Sequence, residues 1–329
     1  MKRLAIVAHY DPRGEAADHL LRQLDQLGTV SDQIVVASPS ALTSQASAEI
    51  SRRAILLRRE NFGHDFGSWR EALEQLDWAQ GYDELLLTND SYAGFFRPLA
   101  QIIDEMTSRP VEVWGMTKSW RHGEHVQSYF LFFTRPALAS RAFRRFWADT
   151  KPATDRFTAI AHGEVGVSRA MAQSGFALGS YFEPTPAERR RANRRGLHWL
   201  RQRQRAFPAR FDTLDDPYFD ATRANDPAAA DGLNWSSAFA DAALPDGRLP
   251  LIKFDTLRYD PYWLGSGVLL DRLEQRWPEQ LAGVRDFLAA TAPFYPARAW
   301  ENGRPARLAP LSARTYGYAA RRLAGTAAW

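Results

Sequence analysis

The chain has 329 residues, of which 45% are hydrophobic and 24% are charged, and its formal net charge is +4. These proportions exclude a disordered chain and are typical of a globular protein with one large core and an appendage, or of two modest domains. The chain has no run of the roughly 18–20 apolar residues that a membrane helix needs. The absence of cysteine excludes disulfides and thiolate zinc sites and fits a reducing cytoplasm.

Short β-rich runs alternate with amphipathic helical patterns over residues 1–182. The predicted strands are Leu4–Ala8, Gln33–Ala37, Ala54–Leu57, Glu84–Thr88 and Val111–Trp114. Apolar residues at spacings of three and four predict helices between them, as in the stripe Trp69, Ala72, Leu73 and Leu76. This alternation predicts an α/β sheet with helices on both faces, and the run Leu4–Ala8 is too short for a signal peptide.

The aromatic-rich segment Val126–Phe133 predicts one longer strand, and Pro136 opens a predicted helix after it. Past Tyr181 the pattern becomes rich in arginine and then in Pro, Asp and Ala, so we place a boundary near residue 182. Helices are predicted at about residues 187–205, 231–242 and 268–290. We expect residues 183–329 to form a mainly helical extension packed on the sheet domain, on the acceptor side or at a membrane surface.

The first helix of this extension is strongly basic. Nine arginines lie between Glu188 and Arg210: Arg189, Arg190, Arg191, Arg194, Arg195, Arg201, Arg203, Arg205 and Arg210. Such a segment is compatible with an anionic lipid leaflet, an acidic glycan, a pyrophosphate or nucleic acid, and equally with a solvated helix face. A single basic stretch without a nucleic-acid-reading fold does not favour nucleic acid, and we expect none to bind.

Polar residues recur where three predicted strands end. His9, Tyr10 and Asp11 follow the first strand, Asn61, Gly63 and Asp65 follow the third, and Asn89, Asp90 and Ser91 follow the fourth. Ligands of open α/β sheets bind beyond the carboxyl ends of the strands, so these groups are expected to meet around one ligand. Turn-forming preference alone explains any one such cluster but explains three in succession less well.

The segment Asn61–Trp69 (NFGHDFGSW) and the turn Asn89–Ser91 have specific chemical interpretations. In the former, two glycines allow close approach of a ligand to the backbone, although they also fit a plain strand-to-helix turn capped by Asp65 or Ser68. In nucleotide-sugar transferases the latter position commonly holds Asp-x-Asp, which binds Mg²⁺ or Mn²⁺. Here Asn89 replaces the first acid, leaving Asp90 as the candidate metal ligand.

Without a metal, cationic side chains would have to neutralise a leaving diphosphate. The available candidates are Lys118, Arg121, His125, Lys253 and Arg258. Glu164 is predicted in the first turn of a helix, where the helix dipole favours its ionised form and would allow it to act as a base. Favourable helix electrostatics without any chemistry explains the same position.

As an ordered set, these motifs resemble the rhamnan synthesis protein F family. The resemblance rests on Val7–Asp11, Asn61–Trp69, Leu86–Ser91, Trp114–Thr117, His125–Phe130 and Pro250–Phe254, and it extends from residue 4 to about residue 262. It implies a GT-A-like, Rossmann-like mixed sheet and a transferase that moves rhamnose, or a related deoxyhexose, onto a bacterial surface polysaccharide. The implied donor is dTDP-rhamnose or GDP-rhamnose, and the implied acceptor is a lipid-linked oligosaccharide at the inner face of the membrane.

The resemblance also implies roles for individual residues. Glu164, with Gly175 eleven residues later, resembles the acid of inverting GT-A enzymes that acts as base, although Val165 replaces the second acid of that pattern. We expect Glu164 and Asp90 to be catalytic. The expected donor-binding residues are His9, Tyr10, Asp11, Asn61, Gly63, Asp65, Asn89, Ser91 and Lys253, and the expected acceptor-side residues are His125, Gln127 and Trp114. The alternative hypothesis is a catalytically silent module that binds glycan or partner enzymes.

Overall fold

The computed structural model describes residues 1–76, 81–120, 123–206, 225–262 and 264–295. These residues divide into two compact units. The first contains the described residues up to Lys118 and those from 123 to Tyr181, and the second contains Ser119, Trp120 and the described residues from Phe182 onward.

The first unit is built on a seven-stranded mixed sheet. Its strands are β1 (Arg3–Ala8), β2 (Gln33–Ser38), β3 (Ile55–Arg58), β4 (Glu84–Asn89), β6 (Val113–Gly115), β9 (Phe130–Phe133) and β10 (Leu178–Ser180), and their order is β10-β6-β9-β4-β1-β2-β3. The short strands β5 (Tyr92–Gly94), β7 (Lys118–Ser119) and β8 (His125–Val126) lie outside this sheet. The order β3-β2-β1-β4 is that of a Rossmann-type half-sheet, and the predicted mixed α/β fold is confirmed.

Helices cover the sheet because alternate strand residues carry apolar side chains to opposite faces. The helices of this unit are α1 (Asp18–Gly28), α2 (Ser44–Ser51), α3 (His64–Gln75), α4 (Leu99–Thr107), α5 (Arg135–Leu138), α6 (Arg141–Asp149), α7 (Arg156–Thr158) and α8 (Val165–Gln173), with a π-helical turn at Ala159–Glu164. On one face, Ile6 and Leu87 join a core with Trp69 of α3, Phe143 of α6 and Met171 of α8. On the other face, α1 hydrogen-bonds β4 through Gln23 and Thr88.

Strand β9 runs antiparallel to both of its neighbours in this sheet, β4 and β6. Its register with β4 pairs Leu85 with Phe133 and Thr88 with Phe130. The predicted continuous strand Val126–Phe133 is wrong, because the backbone turns between β8 and β9. The helix predicted after Pro136 is also broken, since Ser140 caps a new helix by accepting a hydrogen bond from the Phe143 N–H.

The second unit is mainly helical among its described residues. Its elements are α9 (Pro186–Ala206), α10 (Trp235–Ala238), α11 (Ala240–Ala243), β11 (Leu251–Lys253), α12 (Phe254–Tyr259), α13 (Ser266–Arg276), α14 (Pro278–Leu281) and α15 (Val284–Thr291), with 3₁₀ turns at Pro227–Gly232 and Ala292–Phe294. The helix predicted at 187–205 is confirmed by α9. The helices predicted at 231–242 and 268–290 are each divided into shorter pieces, and Pro278 begins one of these.

Arginines of α9 have two kinds of environment. Arg195 is buried and donates to Asp241 at 2.7 Å, and Arg189 pairs with Asp231 and lies over the Trp235 ring. Arg190, Arg194 and Arg201 are exposed. Arg210 and the side chains of Arg203 and Arg205 lie outside the described residues. No helix in the described ranges combines the length and apolarity needed to cross a membrane.

Gly115 in β6 occupies a position where only a hydrogen fits. A Cβ there would lie 2.3 Å from the Phe130 carbonyl oxygen and 2.5 Å from a Val126 methyl carbon. Gly115→Ala should therefore overpack the contact with β9 and lower the free energy of unfolding by about 1–3 kcal/mol. Gly28→Ala is the matched control, since nothing lies within 4 Å of its added Cβ. Urea denaturation of both variants measures the difference, and equal stabilities would contradict the predicted clash.

Candidate active site at the carboxyl edge of the sheet

A hydrogen-bonded chain joins the turn after β4 to the first turn of α3. The Asn89 side-chain amide donates to Asp65 Oδ2 at 2.7 Å, and Asn89 Oδ1 accepts from the Ser91 hydroxyl at 2.6 Å and from the Ser91 N–H at 3.2 Å. Asp65 lies at the start of α3, after Gly63, whose φ of 77° suits the left-handed cap of that helix. The structure thus brings Asp65, Asn89 and Ser91 together.

Asp90 lies beside this chain with little compensation for its charge. Its carboxylate accepts a hydrogen bond from the Tyr10 N–H at 3.1 Å, and His9 Nε2 lies 3.7 Å from the same oxygen. Burial raises the pKa of Asp90 to about 8; the Tyr10 N–H opposes this shift, and the negative charges of Asp65 and Asp11 add to it. At neutral pH this carboxyl group therefore holds its proton much more strongly than an exposed aspartate.

Two buried histidines next to Asp90, His9 and His19, are uncharged at neutral pH. His9 Nδ1 lies 2.9 Å from the Ser38 hydroxyl, and His19 Nε2 lies 3.2 Å from the Asp90 carbonyl oxygen. Burial lowers the pKa of His9 to about 4 and that of His19 to about 3. Neither histidine therefore supplies a positive charge to Asp90 at neutral pH.

Asp11 is engaged by its own neighbours. Arg13 donates to it through Nη2 at 2.8 Å and through its N–H at 2.7 Å, while the Asp11 N–H donates to the Ser40 hydroxyl at 2.9 Å. The side chain of Asp11 is 2% exposed. Its negative charge is felt by Asp90 and His9, so Asp11 lies at the same edge, although its carboxylate is already paired.

Glu164 receives donors on both carboxylate oxygens. The Ser128 N–H and hydroxyl each donate to Oε2 at 2.6 Å, and His125 Nε2 lies 3.2 Å from Oε1. His125 Nδ1 lies 2.8 Å from the Gly123 carbonyl oxygen, which can only accept. A neutral imidazole has one N–H, so His125 can donate at both contacts only as the imidazolium cation.

These contacts favour the ionised form of Glu164. Burial acts to raise its pKa, but the hydrogen bond and charge of His125 and the two bonds from Ser128 outweigh burial and lower it. The predicted cause, a helix amino terminus, is wrong. Residues Arg156–Gln173 run through α7, the π-helical turn and α8, so Glu164 lies inside a helical segment and not at its start.

Two independent contacts place Glu164 at the same edge as Asp90. The β4–β9 register places the start of β9 at the carboxyl end of β4, where the Asn89 N–H lies 3.4 Å from the Tyr129 carbonyl oxygen, and Ser128 directly precedes Tyr129. On the other side, Gly163 packs directly on the Phe66 ring, since a Cβ at Gly163 would lie 2.6 Å from it. Phe66 follows Asp65 in sequence. The four acids Asp11, Asp65, Asp90 and Glu164 therefore surround one edge of the sheet.

The other predicted site residues range from exposed to fully buried. Tyr10 is 45% exposed, Asn61 is exposed, and Gln127 accepts a hydrogen bond from the Thr117 hydroxyl at 2.7 Å. Trp114 is 1% exposed and stacks on Phe132 with ring centroids 4.8 Å apart. It is a core residue without surface for an acceptor, so that assignment is corrected.

The cationic side chains predicted to neutralise a diphosphate come from different parts of the chain and have different partners. Lys118 pairs with Glu124 at 2.8 Å, and Lys253 and Arg258 belong to the second unit. Arg121 lies outside the described residues. The role of Lys253 as a diphosphate clamp stays a prediction.

Sequence reasoning missed several residues that organise this site. From the sequence, Ser128 was interpreted only as part of a predicted strand. Gln23 lies between apolar helix residues and was given no role. Gln23 Nε2 donates to the Tyr92 hydroxyl at 2.6 Å and to the Asn89 backbone carbonyl oxygen at 3.0 Å, which fixes the end of β4. The sequence did contain a signal for Gln23, because it is a polar residue placed among Leu20, Leu24 and Leu27, the buried apolar residues of α1.

The pair formed by His125 and Glu164 makes stability depend on pH. Because the pKa of Glu164 is lower in the folded chain than in the unfolded chain, its charge stabilises the fold above the ordinary glutamate pKa, and this stabilisation is lost as pH falls through the folded-state pKa. Glu164→Gln should cost about 1–3 kcal/mol at neutral pH, and less in acid. Urea unfolding of wild type and variant across the acid range measures this difference.

The matched control is Glu124→Gln, since Glu124 is 47% exposed in its ion pair with Lys118. An exposed pair contributes little, so this variant should follow the wild type at every pH. A Glu164→Gln penalty that stays constant from neutral pH into acid would contradict the assignment of a charged Glu164.

Curated relatives match only part of this chain. The uncharacterized protein y4gN of Sinorhizobium fredii is 26% identical over 187 residues, which cover 55% of this chain and 49% of that protein. Virulence protein VirA of Vibrio anguillarum is 37% identical over 82 residues, 24% of this chain and 25% of that protein. The chain thus spans about half the length of the first relative and a quarter of the second.

Two bacterial proteins of solved structure are similar to about half of this chain. The 4-diphosphocytidyl-2C-methyl-D-erythritol synthase of Anaerococcus prevotii covers 54% of this chain and 87% of its own, with 11% identity and a TM-score of 0.35. A cytidylyltransferase of Leptospira borgpetersenii covers 56% of this chain and 76% of its own, with 13% identity and a TM-score of 0.34.

A family model matches the part of the chain that carries most of the candidate site, apart from the turn after β1. The match covers residues 34–198 and includes the turns holding Asp65, Asp90 and Glu164. Its extent is half of the chain. The family is described as rhamnan synthesis protein F, which supports a glycosyltransferase-like role in polysaccharide biosynthesis. The chain belongs to the rhamnan synthesis protein F family.

Proposed function

We propose that this protein is a glycosyltransferase that moves rhamnose, or a related deoxyhexose, from a nucleotide sugar onto a growing bacterial surface polysaccharide. The observation that carries the proposal is the meeting of Asp65, Asp90 and Glu164 at the carboxyl edge of the sheet. Family membership supplies the rhamnan context. The proposed donors are dTDP-rhamnose and GDP-rhamnose.

The proposed donor site lies between the turns after β1, β3 and β4. Tyr10 offers an exposed ring at the end of β1, and Asn89 and Ser91 hold the turn after β4 in a fixed shape. Gly63 gives the backbone before α3 its left-handed conformation. Helix α3 begins at this edge, and the amino-terminal end of a helix favours an anion such as a diphosphate.

Asp65 and Asp90 fit a divalent cation shared with the donor. Mg²⁺ is usually held by one or two carboxylates together with substrate phosphates, and no group of three or more His, Asp or Glu side chains among the described residues could hold a metal alone. The mutual repulsion of Asp65 and Asp90 would be relieved by a cation between them. A bound Mg²⁺ or Mn²⁺ would neutralise the leaving diphosphate.

Glu164 is the proposed general base. Its carboxylate is held ionised by His125 and Ser128, and Ser128 precedes β9 at the edge of the sheet where β4 ends. In the proposed reaction Glu164 takes the proton of an acceptor hydroxyl as that oxygen attacks the anomeric carbon and the bond to the diphosphate breaks. Attack in line with the leaving group inverts the configuration of a β-linked donor.

Asp90→Ala tests the catalytic proposal. The variant should fold with unchanged or higher stability, because it removes a desolvated carboxyl group, and should lose about 100-fold or more of the turnover of dTDP-rhamnose or GDP-rhamnose. Release of the nucleotide diphosphate measures turnover, and a thermal-shift titration with nucleotide sugar, with and without Mn²⁺, measures binding. Asp104→Ala, an exposed aspartate on α4, is the control and should behave as wild type.

An Asp90→Ala variant with full turnover would reject the role of Asp90. Wild type that binds the nucleotide sugar without turning it over would reject the enzyme and favour the silent binding module. Asn89 is the observation that supports the silent binding module. It stands where many nucleotide-sugar transferases have an acid, and both the N and the O atom of its side-chain amide form hydrogen bonds.

We also propose that the exposed arginines of α9 contact the anionic inner leaflet, where a lipid-linked acceptor would lie. Arg190, Arg194 and Arg201 are four and seven positions apart and therefore share one face of the helix. Among the described residues no ion pair of these three is found, whereas Arg189 and Arg195 pair with aspartates.

Replacing Arg190, Arg194 and Arg201 together by Glu should weaken binding to phosphatidylglycerol vesicles by on the order of 100-fold at low salt, at about 1 kcal/mol for each arginine. Vesicle sedimentation measures this. The control replaces the exposed Arg141, Arg144 and Arg145 of α6 by Glu in the same way. Equal loss in both triple variants, or no sedimentation of wild type, would count against the α9 surface.

A further inference from the structure

A second cleft lies in the first unit, along the side of α3 next to edge strand β3. Its volume is about 650 Å³, within the range of small-molecule sites. Its lining includes Arg58, Arg59, Phe62, Arg70, Glu71 and Pro152. None of the four acids at the carboxyl edge lines it, so this cleft is separate from the proposed donor site.

The floor of the cleft is rigid. Arg59 has a side chain only 1% exposed and donates to Glu71 at 3.0 Å, to the Ser68 hydroxyl at 3.2 Å and to the Phe62 carbonyl oxygen at 2.7 Å. Gly67 is required below it, because a Cβ there would lie 2.6 Å from the Phe62 carbonyl oxygen and 3.0 Å from Arg59 Nη2. The floor therefore loses little conformational freedom when a ligand binds.

Phe62 is an exposed aromatic platform on this floor. Its side chain belongs to the few large apolar groups left open to solvent, at 46% exposure, and the Arg59 guanidinium lies 4.8 Å from its ring centroid. This cation–π contact holds the ring in place without burying it. An ordered, exposed ring suits the flat C–H face of a pyranose, which is apolar although the rim of the sugar carries hydroxyls.

The charges around the platform balance. Arg58, Arg59 and Arg70 face Glu60, Glu71 and Glu74 along the lining, and Arg59–Glu71 and Arg70–Glu74 are ion pairs at 3.0 and 2.7 Å. A phosphate or polyanion would gain nothing from a neutral lining. Planar carboxylate and guanidinium groups instead match sugar hydroxyls, each of which both donates and accepts.

We propose that this cleft is a saccharide subsite that takes a neutral oligosaccharide, the acceptor chain of the proposed transfer. The identification of that chain as the acceptor rests on the proposed function. The cleft adjoins the donor side through Gly63, where an added Cβ would lie 3.2 Å from Pro152 Cβ, so one loop borders both sites. A saccharide on Phe62 would thus contact the segment that leads into Asp65.

The test measures binding of a neutral rhamnose trisaccharide by calorimetry or saturation-transfer NMR. Phe62→Ala and Arg70→Gln should each raise its Kd about fivefold or more, and Phe62→Tyr should retain wild-type affinity because it keeps the ring. Ile55→Ala removes an apolar side chain of similar exposure, 53%, outside the cleft, and should leave the Kd unchanged. Thermal melts establish that each variant is folded.

Binding of dTDP to the same variants separates this proposal from others. We expect its Kd to change less than twofold in Arg70→Gln. A large loss of dTDP affinity there would show that the cleft belongs to the nucleotide and would overturn the proposal, as would an unchanged trisaccharide Kd in Phe62→Ala or no trisaccharide binding by wild type. Trisaccharide binding that depends on Phe62 in a protein without donor turnover would sustain the subsite and reject the transferase.

Discussion

The structure of the candidate site follows from the cost of taking carboxylates out of water. Four acids meet at one sheet edge, and a carboxylate removed from water needs donors or its pKa rises. Asp11 has Arg13, Asp65 has the Asn89 amide, and Glu164 has Ser128 and His125. Asp90 has only backbone N–H donors, those of Tyr10 and of Asp90 itself, and the histidines near it are neutral, so burial raises its pKa to about 8. Asp90 is therefore the acid whose negative charge a bound ligand or cation would stabilise most.

This constraint also explains the departure from Asp-x-Asp. Asn89 Nδ2 lies 2.7 Å from Asp65 Oδ2, so an aspartate at position 89 would set two carboxylate oxygens against each other at hydrogen-bond distance. The amide turns that repulsion into a bond. Asp65, in the first turn of α3, then acts electrostatically on Asp90, in the turn after β4, although the sequence shows only one acid in the motif.

The sequence predicted the parts of the site that depend on local patterns. Strand ends and glycine turns are local, and the polar turns after β1, β3 and β4 were found because parallel strands end at one edge. Pairings across long sequence separations were not visible. Ser128 donates to Glu164 only because the chain turns between β8 and β9, and the aromatic residues at 129–133, which follow Val126 closely, favoured a continuous strand. The π-helical turn before Glu164 likewise has no composition signal, so a helix start was inferred there.

The segment from Asn61 to Asp65 contributes residues to the cleft, to the start of α3 and to the sheet edge. Its glycine at 63 packs on Pro152 and caps α3, Phe62 next to it faces the cleft, and Asp65 bonds to Asn89 at the sheet edge. Only Gly63 and His64 separate Phe62 from Asp65 in the sequence. The Phe62 ring contacts the Arg59 guanidinium, and Arg59 forms an ion pair with Glu71 of α3, so these two contacts link the loop to the helix. The same short segment therefore supplies Phe62 to the cleft and Asp65 to the sheet edge, so the contacts that fix its backbone support both places.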